Sequence, residues 1–171
     1  MDALYNINFI KKMAKKYPDI VEQETISVLR GIIGRLETEI AVRTPKGVGG
    51  AAGLAGSIYG DVQSVGVGVV QGLVGSPLEY GEVIELGRRP GSAMPPVEPL
   101  ALWAIRKLGV DEDESMNIGF AIAKSIARYG FKTYPEGAQM FSKAWEESSD
   151  WVFDELKTIP ERVVRRNQIY D

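Results

Sequence analysis

Apolar residues recur at spacings of three and four near the start of the chain. Leu4, Ile7, Phe9, Ile10 and Met13 predict a helix over 4–16, closed by "KKYP". Pro18 is placed to open a second helix, where its missing N–H costs nothing. Val21, Thr25, Val28, Ile32, Leu36 and Ile40 then mark one face, with Glu22, Glu24, Arg30, Arg35, Glu37 and Glu39 largely off it. Gly31 and Gly34 each cost such a helix up to about 1 kcal/mol against alanine, or else permit close packing. The helix is expected to end near Arg43, because Pro45 disfavours helical geometry at Thr44.

Past the glycine-rich "RTPKGVGGAAGLAGSI" at 43–58 the period changes to two. "SIYGDVQ" and "VGVGVVQGLVG" predict two short strands, with Val65, Val67 and Val69 on one face. Gly66 and Gly68 fall on the other, which predicts close approach by another element or chain. "GLAGS" at 53–57 and "GLVGS" at 72–76 echo each other, but two short copies do not make a repeat protein.

Residues 77–96, "PLEYGEVIELGRRPGSAMPP", predict a strand or a short turn of helix followed by a proline- and glycine-rich loop. Gly87 is expected at positive φ there. "VEPLALWAIRKLG" predicts a helix, and Asp113 to Tyr129 another, with Met116, Phe120, Ala123 and Ala127 on one face. "GFKTYPEGA" leads to a last long helix bearing Phe141, Trp145, Val152 and Leu156 on one face, with Pro160 as its stop and a short tail beyond. Helices, strands, then helices without regular alternation predict an α+β domain: a long N-terminal helix, a small antiparallel β-sheet, and C-terminal helices packed against it. The expected division of this single domain is 1–43 helical, 44–96 loop and sheet, 97–157 helical, and 158–171 tail.

Composition changes the picture mainly by exclusion. At 171 residues the chain suits one domain with a real core. The net charge of -3 gives no support to broad phosphate-backbone binding. Cysteine and histidine are both absent, which removes disulfides, thiolate metal sites and the commonest general base near neutral pH. The start "MDALYNINFIKK" lacks the order of a secretory signal, and no apolar run approaches the roughly 20 residues of a membrane span. These features predict use in the cytosol, or in something assembled there, with no membrane.

Candidate chemistry is thin. Lys46 precedes the glycines of the loop and no Lys-Ser/Thr follows, so the phosphate-cradling pattern is missing. A dinucleotide fingerprint needs a strand before the glycines and a helix after; the predicted order is the reverse. The loop, including Gly49 and Gly50, therefore reads as a hinge. "DEDE" at 111–114 lacks the calcium-loop pattern and suits a helix start. Glu79, Glu82 and Glu85 could run carboxylate chemistry without histidine, but no nucleophile motif accompanies them. Trp103, Trp145 and Trp151 read as core or interface anchors. Lys11, Lys12, Lys15 and Lys16, Arg88 and Arg89, and Arg162, Arg165 and Arg166 read as solvated faces, or as contacts to an acidic partner or DNA.

Several of these features stand in a familiar order. "RTPKGVGGAAGLAGSI" resembles the "TP…(D/G)TG.L..SI" segment of the tail-completion or head–tail joining proteins of tailed phages, a family related to the Z protein of phage lambda. "YGEVIELGRRPGSAMPP" resembles that family's "YA..VEFGT…PP", with Tyr80, Glu85, Gly87, Pro95 and Pro96 at the matching places. "PVEPLALWAIRKLGV" and "AIAKSIARYGFKTYPEGAQMFSKAWEE" resemble a long-insert subgroup. The resemblance spans about residues 25 to 157, with departures at "GVGG", at Leu86 and at "YPEGAQMF", where residues are inserted into the family's Pro-Phe. It implies a structural virion protein without catalysis, cofactor or metal. Such a protein forms or caps a homo-oligomeric ring, six-fold being one arrangement, at the neck or head-proximal end of the tail. Its partners are neighbouring neck and tail proteins, with passing contact to DNA in the lumen. Gly49, Gly50, Tyr80, Glu85, Gly87, Arg88 and Arg89 are the interface and loop candidates. A carboxylate-dependent accessory hydrolase around Glu79 to Glu85, and a DNA-contacting neck component, remain as alternatives.

Overall fold

The computed structural model describes residues 7–47, 53–66, 68–132 and 134–168. Its elements are α1 (Ile7–Lys16), α2 (Pro18–Arg43), α3 (Leu54–Ser57), β1 (Tyr59–Gly66), β2 (Val69–Gly75), α4 (Tyr80–Leu86), α5 (Val97–Leu108), α6 (Glu112–Tyr129), α7 (Met140–Lys157) and α8 (Ile159–Gln168). The architecture is α+β, mostly helical, with one two-stranded antiparallel sheet. The chain divides into two compact units. One takes the chain to Glu39, Tyr59–Gly75 and the chain from Ala144; the other takes Ile40–Ile58 and Ser76–Lys143.

In the first unit α2 is the organising element. Val28, Ile32, Ile33 and Leu36 are buried on its apolar stripe, and Pro18 opens it as expected. Gly31 and Gly34 are exposed with open space around them, so they do not serve close packing. That role falls to two glycines of the hairpin. A Cβ on Gly72 would sit 2.9 Å from Ile33 Cδ1, and one on Gly60 would collide with Ile33 Cγ2. The strands pair from Tyr59↔Gly75 to Gly66↔Val69, with a shift in register between Ser64 and Gly66. The turn therefore lies inside the predicted second strand. Gly68, at φ 71, supplies the left-handed backbone that reverses the chain; a Cβ on Gly66 would meet its ladder partner Val69 at 3.9 Å, and no described residue comes within 4 Å of one on Gly68. Val67 lies outside the described residues, while Val65 and Val69 are exposed on opposite arms.

The C-terminal helices pack on α2. The Arg35 guanidinium stacks 4.1 Å over the Trp151 ring, Ser148 Oγ donates to Glu39 at 2.6 Å, and Arg166 pairs with Glu24 at 2.7 Å. The buried residues of α7 are Met140, Ala144, Ser148 and Val152; of the expected face Val152 is buried, while Phe141 and Leu156 are half-buried. Trp145, expected as a core or interface anchor, is half exposed. Small residues face inward because they let helices approach closely. Helix α7 ends at Lys157, but the segment beyond is not a loose tail. The Thr158 carbonyl accepts the Arg162 N–H at 3.1 Å and starts α8, Pro160 sits in its first turn, and Val163 is buried.

In the second unit α5 and α6 form a close pair. A Cβ on Gly119 would lie 2.8 Å from the Ala101 nitrogen, so glycine sets the helix separation. The inward residues of α6 are Ser115, Gly119 and Ala123. Met116 and Phe120, expected inside, are 47% and 50% exposed; only Ala123 of the expected face is fully buried. The same unit holds the end of α2. Thr44 is buried and donates its hydroxyl to Ile40 O at 2.7 Å and to Met140 Sδ at 3.3 Å, closing the helix where Pro45 was expected to end it.

Candidate functional site

The segment 76–93 and the segment 127–142 of the second unit meet at a junction that contains most of the candidate residues. It begins with Ser76, whose hydroxyl accepts the Leu78 N–H at 3.1 Å and shares a hydrogen bond of 2.7 Å with Ser57 Oγ. The echoed "GLAGS" and "GLVGS" thus meet through their serines, although one lies in α3 and the other follows β2. Helix α4 starts next, a short helix where either a strand or a helical turn was expected. Gly81 is buried, and a Cβ there would stand 3.2 Å from Leu54. Tyr80, at its start, is half exposed.

Helix α4 stops at Gly87, whose φ of 76 and ψ of -175 belong to a region that side chains resist. A Cβ on Gly87 would meet Pro135 O at 2.7 Å and Glu136 C at 2.9 Å, with Gly137 N closer still. The helix's last carbonyls are satisfied from across the junction. Ile84 O accepts from Ala138 N at 2.7 Å, and Glu85 O from Gln139 N at 3.1 Å.

Glu85 returns the contact with its side chain. Oε2 accepts the Phe141 N–H at 3.0 Å; Oε1 accepts the Ser142 N–H at 3.0 Å and the Ser142 hydroxyl at 2.6 Å. These are donors in the first turn of α7, which have no partner inside the helix. Gln139, the residue before α7, stands at φ 52, and its side chain donates to Glu136 O at 3.4 Å. The cap thus comes from α4. Burial pushes the Glu85 carboxyl up, but the Ser142 hydroxyl and the N–H groups of Phe141, Ser142 and Met140 outweigh it. The net effect holds Glu85 below its ordinary value.

Arg88 and Arg89 follow. The Arg88 carbonyl accepts the Phe131 N–H at 3.2 Å, where Gly130, at φ 70, leaves no room for a Cβ. Its guanidinium donates to Ala93 O, while Nε is buried with no hydrogen-bond partner among the described residues. Arg89 is exposed, and its carbonyl accepts the Ser92 hydroxyl at 2.7 Å. The structure therefore joins Glu85, Gly87 and Arg88 in one framework and leaves Tyr80 and Arg89 at the surface. Gly49 and Gly50 lie outside the described residues. Lys46 is exposed beyond α2, and a short α3 intervenes before β1, an element that periodicity did not reveal.

Sequence reasoning missed Ser142 and the Ala138–Gln139 backbone, since the pairs lie more than fifty positions apart. The acidic run at 111–114 occupies the first turn of α6, with Asp111 preceding it and no side-chain capping bond. Among the described residues no group of three acidic side chains is placed to hold a metal ion, and no helix is long and apolar enough to cross a membrane. Compared with models of protein families, with curated proteins and with solved structures, the chain matches none.

Proposed function

We propose that the chain is a structural protein of a tailed-phage virion, acting in tail completion and head–tail joining as a ring, or the cap of a ring, at the neck. The order of motifs around Thr44–Pro45, Tyr80–Gly87 and Pro95–Pro96 is the sequence basis of the reading. The observation that carries it is the junction itself. Glu85 commits both carboxylate oxygens to the first turn of α7, and Gly87 allows a backbone contact that no other residue permits. The motif is thereby explained by architecture, with no substrate needed.

Large apolar side chains left in water support a chain that packs against others. Tyr59 and Leu73 on the hairpin, and Leu102 and Phe120 on α5 and α6, are each about half exposed. On this reading the partners are further copies of the chain in a closed ring, six-fold being one solution, together with adjoining neck and tail proteins and DNA passing through the lumen. The protein is made in the bacterial cytoplasm and ends in the virion. An acid–base role around Glu79 to Glu85 has less support, because general acid–base work favours a carboxyl that titrates near working pH. Glu85 is held ionised instead.

Mass spectrometry of purified particles of the phage encoding this chain tests the proposal, with antibody labelling in the electron microscope. The chain is expected in ring-like copy number, with label at the neck. Particles that lack it contradict the reading.

A further inference from the structure

Helix α7 turns an aromatic and acidic face to solvent. Trp145 and Phe153 are 50% and 54% exposed, yet their rings meet edge to face, 6.3 Å between centroids and 72° between planes. An ordered aromatic pair of this kind belongs more often to a core or an interface. The helix carries Glu146, Glu147, Asp150, Asp154 and Glu155; Asp154 pairs with Lys157 at 2.7 Å and Glu155 with Arg162 at 3.9 Å, so the carboxylates beside the aromatic pair are Glu146 and Asp150. Glu146 and Asp150 are exposed and make no ion pair with a described residue. They stand four positions apart, where like charges on a helix repel.

Helix α1 is the electrostatic opposite. Its sequence INFIKKMAKK holds four lysines and no acidic residue. Lys11, Lys12 and Lys15 are exposed and make no ion pair with a described residue, and Lys11 and Lys15 repeat the four-residue spacing of Glu146 and Asp150. Each repeat spans about 6 Å along its helix, so the two charged strips match in length. A lysine ammonium is also suited to the face of a tryptophan ring.

We propose that the acidic, aromatic face of α7 around Trp145, Glu146, Asp150 and Phe153 is the docking site for the lysine face of α1 from a second copy of this chain. Charge complementarity selects the occupant: the chain itself supplies a cationic helix on which Lys11, Lys12 and Lys15 are exposed and make no ion pair with a described residue. Each copy offers both faces, so the contact either closes reciprocally in a dimer or runs head to tail into a larger assembly. The inference concerns the purified chain and does not rest on a virion role. Pairing found in a chain that particles lack would remove the functional reading and keep this one.

Analytical ultracentrifugation of the full chain provides the test, with circular dichroism as the check on folding. Wild-type protein is expected to self-associate at low salt, with affinity falling at least about tenfold by about 0.5 M salt. The variant Lys11→Glu/Lys12→Glu/Lys15→Glu and the variant Glu146→Lys/Asp150→Lys are each expected to be folded and monomeric. Mixed together they are expected to associate, because both contacts between unlike chains then regain opposite charges. Trp145→Ala is expected to weaken wild-type association about tenfold. A wild-type chain that stays monomeric overturns the proposal, as do charge variants that associate like wild type or a mixture that stays monomeric. Wild-type monomers that bind duplex DNA through the same lysines would assign those lysines to DNA, and overturn it equally.

Discussion

Ser142 donates both its backbone N–H, at 3.0 Å, and its hydroxyl, at 2.6 Å, to one carboxylate oxygen of Glu85, a residue 57 positions earlier. Helix α7 therefore begins on a cap that α4 supplies. Glu85→Ala is expected to cost about 2 kcal/mol, since it strips charge-assisted bonds from several donors at once. Ser142→Ala removes only the hydroxyl and is expected to cost about 1 kcal/mol. Urea unfolding of both variants checks the order; equal costs would mean that the carboxylate is not the principal cap.

The same bond network makes stability depend on pH in a definite direction. The folded chain holds the Glu85 carboxyl below its unfolded value, near 4.5, so the unfolded chain binds this proton more tightly. The stabilisation is complete above that value and is lost as pH falls through the lower, folded one. Wild type is expected to exceed Glu85→Gln by a constant margin at neutral pH, and the margin is expected to shrink below about pH 4.5. Urea midpoints measured from pH 7 to pH 3 give the answer, and a margin unchanged across the range contradicts it.

Gly87 and Glu82 lie on the same short segment with opposite constraints. Gly87→Val places a branched side chain at φ 76 against the backbone of Pro135–Gly137, and is expected to cost about 3 kcal/mol or more. Glu82 is exposed, and Glu82→Ala is expected to stay within about 0.5 kcal/mol of wild type. Thermal unfolding separates them. Similar melting temperatures would show that the backbone junction yields easily.

The hairpin is seated on α2 through Gly60 and Ile33. Gly60→Ala is expected to destabilise by about 1–3 kcal/mol, because the new methyl group meets Ile33 Cγ2. Ile33→Ala should also destabilise, by opening a cavity. The two together are expected to cost less than their sum, since each leaves the space the other needs. A double-mutant cycle by chemical unfolding measures this, and strict additivity would place the hairpin elsewhere.

Much of this architecture was legible where large side chains carry the pattern. The stripe of α2, its end before Pro45 and the positive φ at Gly87 all follow from residues whose local preference agrees with the fold. The expected faces of α6 and α7 are fully buried only at Ala123 and Val152, because Met116, Phe120 and Trp145 dominate any apolar pattern while remaining at the surface. The true inner faces run through Ser115, Gly119 and Ala123, and through Ala144 and Ser148, small residues chosen for close approach. The hairpin turn was hidden because "VGVGV" keeps a period of two through the reversal. The role of Glu85 was invisible for another reason. Its partners are backbone groups brought near only by the fold.

The proposed role of this chain is to complete a phage tail for joining to its head. Removing the gene from a phage that carries it, and imaging the lysate by electron microscopy, tests that role most directly. Filled heads and separate tails that fail to join are expected, with infectivity restored by the wild-type gene supplied in the host and not by Gly87→Val. Joined, infectious particles formed without the chain would contradict the account.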